Sequence, residues 1–108
     1  MAPKLISLSN SKELLLSGPP ETVGMKSGHM VLAPGENAGR HTTGLREEAI
    51  IVRSGTATAL VEGHGTYLIN RDCLLYIPPN TWHDIKNNAT APLDYIYVVA
   101  PTNEFNAI

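Results

Sequence analysis

Residues 35–55 read Gly35-Glu36-Asn37-Ala38-Gly39-Arg40-His41-Thr42-Thr43-Gly44-Leu45-Arg46-Glu47-Glu48-Ala49-Ile50-Ile51-Val52-Arg53-Ser54-Gly55. Turn-forming pairs at either end, Pro34-Gly35 and Ser54-Gly55, enclose a histidine and then a β-rich run over residues 49–53. Side chains alternate faces along a strand, so Glu48 shares a face with Ile50 and Val52, while Glu47 faces the other way with Ala49 and Ile51. An ionised Glu buried beside Ile and Val costs several kcal/mol or more unless a cation or hydrogen-bond donors compensate it. A metal ion is the most direct compensation, and His41 at the neighbouring turn stands where ligands can converge; Glu47 reads as the solvated neighbour.

The same rhythm of short β-rich runs and turns extends in both directions. Runs are expected at residues 29–33, 56–61, 66–69, 74–77, 82–87 and 93–100, while helix signals are almost absent. Glu62-Gly63-His64-Gly65, Asn70-Arg71-Asp72 and Pro78-Pro79-Asn80 supply the turns, with His64 at an exposed hairpin tip. The last run alternates Leu93, Tyr95, Tyr97 and Val99 against Asp94, Ile96 and Val98, which predicts a strand covered on both sides. The first 24 residues are less legible: residues 5–8 fit an edge strand, and residues 11–16 are too short and uncapped for a helix.

His83 stands beside the turn at Pro78-Pro79-Asn80, a place where ligands from different strands converge. With it the chain resembles the cupins, whose first motif runs glycine, five residues, His, one residue, His, three or four residues, Glu, six residues, glycine. Gly35, His41, Glu48 and Gly55 match those spacings, and Thr43 occupies the second histidine position. The second cupin motif runs glycine, five residues, Pro, one residue, Gly, two residues, His, three residues, Asn. Pro78, His83 and Asn87 match it, with Asp72 and Asn80 in the two glycine positions, both residue types that tolerate left-handed turns.

The resemblance implies an all-β fold, a double-stranded β-helix or jelly-roll barrel of six to eight strands, as a single domain over residues 1–108 with an N-terminal arm (1–24) and a barrel (25–101). It implies metal ligands at His41, Glu48 and His83, and a divalent ion that is Fe, Mn, Ni, Co or Zn; two histidines and one carboxylate suit non-haem Fe(II). Thr43 is placed to orient a water on the ion, and His29 is an alternative source of the missing imidazole. Catalytic residues beyond the ligands are not identified by sequence. Function is expected to be metal-dependent, dioxygenase- or isomerase-like chemistry on a small oxygenated substrate. The alternatives are a non-catalytic module for a carbohydrate or small acid, possibly metal-free, and a merely packed structural barrel.

Composition narrows the partners. At 108 residues, 43 % hydrophobic and 17 % charged, the chain has material for one core. A net charge of −2 without a basic stripe argues against nucleic acid. No apolar run approaches the ~20 residues of a membrane span, and Met1-Ala2-Pro3-Lys4 does not open a signal sequence, so a cytoplasmic protein without membrane contact is expected. The partners expected are a small-molecule ligand and a second copy in a homodimer. Cys73 is alone and, beside Leu74 and Leu75, reads as a buried thiol; Trp82, Tyr76, Tyr95 and Tyr97 read as barrel packing. Arg40 and Arg53 are the guanidinium candidates for an anionic group, although parity turns Arg53 away from Glu48.

Overall fold

A computed structural model describes residues 1–102. Nine strands and no helix are found among the described residues: β1 (Glu13–Ser17), β2 (Lys26–Leu32), β3 (His41–Thr42), β4 (Arg46–Ser54), β5 (Ala57–Val61), β6 (Gly65–Ile69), β7 (Leu74–Ile77), β8 (Trp82–Lys86) and β9 (Leu93–Pro101). They form a five-stranded sheet in the order β1-β2-β9-β4-β7 and a four-stranded sheet in the order β3-β8-β5-β6. Neighbours pair antiparallel throughout. This is the expected jelly roll, with β1 and the two-residue β3 added to the seven runs legible in the sequence. β1 is a segment without a legible element that pairs with β2 at the sheet edge, and residues 5–8 form no strand. Leu14, Leu15 and Leu16 carry no alternation, so nothing local marks the pairing that β2 imposes.

The core lies between the sheets. Leu32, Ile50, Val52, Ile77, Leu93 and Tyr95 face it from one, and Ala57, Ala59, Val61, Ile69 and Ile85 from the other. Period-two alternation therefore puts Glu48 on the core face of β4 and His83 on the core face of β8, two residues from Ile50 and Ile85 respectively. The outer face of β9 is only half buried, which corrects the expectation of a strand covered on both sides.

The motif positions do structural work. Asp72 and Asn80, standing where the family pattern has glycine, adopt φ of 65° and 54°. Short polar side chains that bond locally make this conformation accessible to them. Gly55 has φ of 81°, and a Cβ there would fall on the Pro92 carbonyl oxygen. Asn87, fully buried, donates to the carbonyls of Leu32 (3.0 Å) and Ala91 (2.9 Å) and accepts from Ala89 N (3.1 Å), tying the end of β8 to β2 and to the approach to β9. Cys73 is exposed rather than buried, because it follows the Asp72 turn outside the sheets. Gly55→Ala combines left-handed strain with a backbone clash. It is expected to destabilise the fold by about 1–3 kcal/mol, read as a lowered thermal midpoint with unchanged far-ultraviolet circular dichroism below the transition.

Candidate metal centre

β3 and β8 lie side by side with His41 directly opposite His83, and their rings meet edge to face with centroids 4.3 Å apart. Glu48 approaches from the facing sheet. One ligand atom from each of His41, Glu48 and His83 can be chosen so that all three lie within 4.8 Å of one another. The set joins residues 42 positions apart and bridges the two sheets at the barrel mouth, with His83 and Glu48 buried and His41 exposed.

Both imidazoles are oriented in the same manner. His41 Nδ1 is 2.9 Å from the Gly39 carbonyl oxygen, and His83 Nδ1 is 3.1 Å from the Thr81 carbonyl oxygen. A carbonyl only accepts, so in each ring Nδ1 donates and Nε2 is the remaining nitrogen, the arrangement common to metal-binding histidines. His83 Nε2 lies 3.0 Å from Glu48 Oε1, the distance of an ion pair, yet it is buried without hydrogen-bond geometry to any described partner. In a neutral ring that nitrogen presents a lone pair to a carboxylate, which is repulsive unless a proton or a metal cation is shared there. Burial disfavours the imidazolium of His83. The Glu48 and Thr81 oxygens and the charges of Glu48 and Asp84 outweigh it, so the pKa is raised. The donor set, one carboxylate and two Nε2 lone pairs, fits a divalent transition metal.

Surrounding residues hold these strands in place. Asp84 accepts from Asn37 Nδ2 (3.1 Å) and Gly39 N (2.9 Å), fixing the loop that leads into His41. Thr43 is buried, and its hydroxyl donates to the Pro78 carbonyl (2.8 Å) while accepting from Thr81 N (3.1 Å). The Thr43 proton is thereby committed to the turn before β8, where it stabilises the approach to His83, and the residue also lines the cavity described below.

His29 lies outside this group. It lies on the outer face of its sheet, fully buried, with Nε2 2.8 Å from Asp94 Oδ1. Its neighbour Met30 takes the cavity side, so parity sends the imidazole away from Glu48. Arg53 is also on the outer face, 3.8 Å from Asp94. Arg40 pairs with Glu62 (2.6 Å) and stacks over Trp82 at 4.2 Å. Trp82 and Tyr76 are surface residues, 42 % and 54 % exposed, and the Tyr76 hydroxyl donates to Glu47 at 2.8 Å. His64 is an exposed tip, as expected.

A cavity of about 450 Å3 opens beside His41 and Glu48. Tyr95 and Tyr97 line it, and burial followed by the Glu48 charge raises both phenol pKa values. Gly28 is what allows the Tyr97 ring to lie across β2, since a Cβ there would fall on the ring. Sequence reasoning missed Lys12, Lys26 and Arg46, which also line the cavity. The signal was present, because Arg46 and Lys26 share the parity of Glu48 and Met30.

An all-β barrel of two antiparallel sheets, with two histidines and a glutamate converging at its mouth, defines the class of small single-domain jelly-roll barrels. The family model described as "Cupin domain" matches residues 28–99, and the chain belongs to that family. It is similar to mannose-1-phosphate guanylyltransferase RfbM of Salmonella typhimurium, 34 % identical over 73 residues. That match covers 68 % of this chain but only 15 % of the enzyme. Among solved structures, an RmlC-like cupin family protein with a double-stranded β-helix fold from Methanocaldococcus jannaschii superposes with a TM-score of 0.76 at 21 % identity, covering 100 % of this chain and 99 % of that one. A cupin 2 conserved barrel domain protein from Salinispora arenicola gives 0.76 at 19 %, covering 99 % and 96 %. These likenesses establish the fold.

Thr43→Val keeps the side-chain shape and removes the hydroxyl bridge. It is expected to cost about 1–3 kcal/mol, measured by urea denaturation, because Pro78 O and Thr81 N lose a buried partner.

Proposed function

We propose that the chain holds a divalent transition-metal ion through Nε2 of His41, Nε2 of His83 and the Glu48 carboxylate, and acts through it on a small oxygenated molecule in the adjoining cavity. The observation that carries this reading is the buried contact between His83 Nε2 and Glu48 Oε1, which lacks hydrogen-bond geometry while both Nδ1 atoms are engaged elsewhere. An ion at this place supplies Lewis acidity toward an oxygen of the ligand. The residues around it have definable tasks. The carbonyls of Gly39 and Thr81 hold the two rings in orientation. Ile50, Ile85 and Val99 form an apolar wall that limits water. Tyr95 and Tyr97, with raised pKa values, remain protonated at neutral pH and serve as hydrogen-bond donors to an oxygen on the ligand.

The likeness to a guanylyltransferase acting on mannose 1-phosphate supports an oxygen-rich ligand, although only a small part of that enzyme is matched. An isomerase- or dioxygenase-like reaction is the chemistry the family resemblance suggests for such a ligand.

Elemental mass spectrometry on protein purified without an affinity tag or chelator tests the metal. About one transition metal per chain is expected in the wild type and almost none in His83→Ala. His29→Gln should keep the wild-type stoichiometry, because its ring points away from the site. If wild type is empty and no added Fe, Mn, Ni, Co or Zn raises its thermal midpoint, the reading fails, since a ligand at about 100 times its Kd stabilises by about 2.7 kcal/mol.

A further inference from the structure

The cavity beside the candidate metal centre has a charge balance opposite to that of the chain. The protein carries ten acidic and eight basic residues, for a net charge of −2. Of those, Lys12, Lys26 and Arg46 line the cavity, and Glu48 is the only acid among its lining residues. Glu48 is already engaged with His83. Arg40, Arg53 and Arg71 each lie within ion-pair distance of a carboxylate, whereas Lys12 and Lys26 have no such partner among the described residues.

Strand parity explains how the three cations arrive. Inward positions of β4 run Arg46, Glu48, Ile50, Val52, and those of β2 run Lys26, Gly28, Met30, Leu32. Each strand is apolar where the barrel is closed and ends in a cation at its first residue. β2 and β4 both pair antiparallel with β9, so they run parallel to each other and open at the same end. Lys26 and Glu48 both pair with Val99, and Arg46 lies one inward step beyond Glu48, opposite Pro101. Lys26 and Arg46 therefore flank the end of β9 from two sides, roughly 10 Å apart laterally at two strand spacings. Lys26 lines the cavity with its methylene stem beside Gly18, just past the end of β1, and Arg46 lines it from β4. Lys12 enters from the flank, ahead of edge strand β1, on the same face as Leu14.

We infer that the cavity takes a small anion carrying a phosphate or carboxylate group, seated over Val99 between Lys26 and Arg46 with Lys12 closing the flank, so that its remaining oxygens face Tyr97 and the His41, Glu48, His83 set. Two lysines without a carboxylate partner among the described residues, beside an arginine at the same partly apolar cavity, are suited to a localised negative charge, which the ammonium groups meet as point charges. The inference rests on the reading of this cavity as a ligand pocket, but it does not require the ion.

Calorimetric titration with inorganic phosphate, malate and glycerol 3-phosphate tests it, with glycerol as the uncharged counterpart of the last. Each titration is run on the protein as purified and again after chelation. At least one of the three anions is expected to bind saturably, and glycerol is not. Affinity should fall about tenfold or more in Lys26→Met and in Arg46→Met, the loss of one charge-assisted hydrogen bond. It should fall further in Lys12→Met/Lys26→Met. Arg53→Met, a cation on the same strand with opposite parity, should bind like wild type. Lys12 and Lys26 are exposed, so thermal midpoints of the ligand-free lysine variants should match wild type and separate lost binding from lost folding.

The inference is overturned if none of the three anions binds, if glycerol binds as well as glycerol 3-phosphate, or if the lysine variants bind like wild type. It is also overturned if chelation abolishes anion binding that the cation substitutions leave unchanged, because the ion alone would then hold the anion. Anion binding that persists after chelation and is lost in Lys26→Met upholds it even where the metal test fails, so the two failures are read separately.

Discussion

The Glu48 carboxylate is held inside an apolar barrel, on the strand face that continues as Ile50 and Val52, with the buried His83 ring 3.0 Å away. An ionised carboxylate in such a place is tolerated only with compensating positive charge or donors, and an imidazole with Nδ1 already engaged supplies either one proton or one lone pair. The exposed His41 ring completes the group, with one donor atom from each of the three residues lying within 4.8 Å of the others. The architecture of the mouth follows from bringing that carboxylate and those two rings together from opposite sheets and holding them there.

Holding them is the task of buried polar groups outside that set. Thr43 ties the loop before β4 to the turn before β8, Asp84 ties the loop before β3 to β8, and Asn87 ties β8 to β2. All three are buried, and each satisfies backbone groups that would otherwise be left without partners where strands end. Thr43 shows why a motif position changes meaning when its residue changes. With a hydroxyl in place of an imidazole, the side chain is short enough to serve the backbone, and the local structure uses it there.

Sidedness separates the chemistry from its neighbours. Glu48 and Glu47 are adjacent in sequence, yet one meets His83 and the other accepts a hydrogen bond from the exposed Tyr76. His29 and Met30 are adjacent, yet the ring turns to Asp94 and the thioether lines the cavity. Arg46 and Arg53 stand on one strand with opposite parity, so only Arg46 reaches the mouth. A one-residue step along a strand is a change of face, and it decides function as firmly as residue type does.

Much was legible in the residues themselves. Alternation, turn residues and motif spacing identify the jelly roll and seven of its strands, place Glu48 inward, and single out His41 and His83, because these are local properties of φ, ψ and side-chain direction. Strand β1, the outward turn of His29, the surface positions of Cys73 and Trp82, and the convergence of Lys12, Lys26 and Arg46 were settled only by tertiary structure. Each depends on which strand lies beside which, and on what fills the space between sheets. Those contacts join positions far apart in the chain, so no local window of sequence contains them.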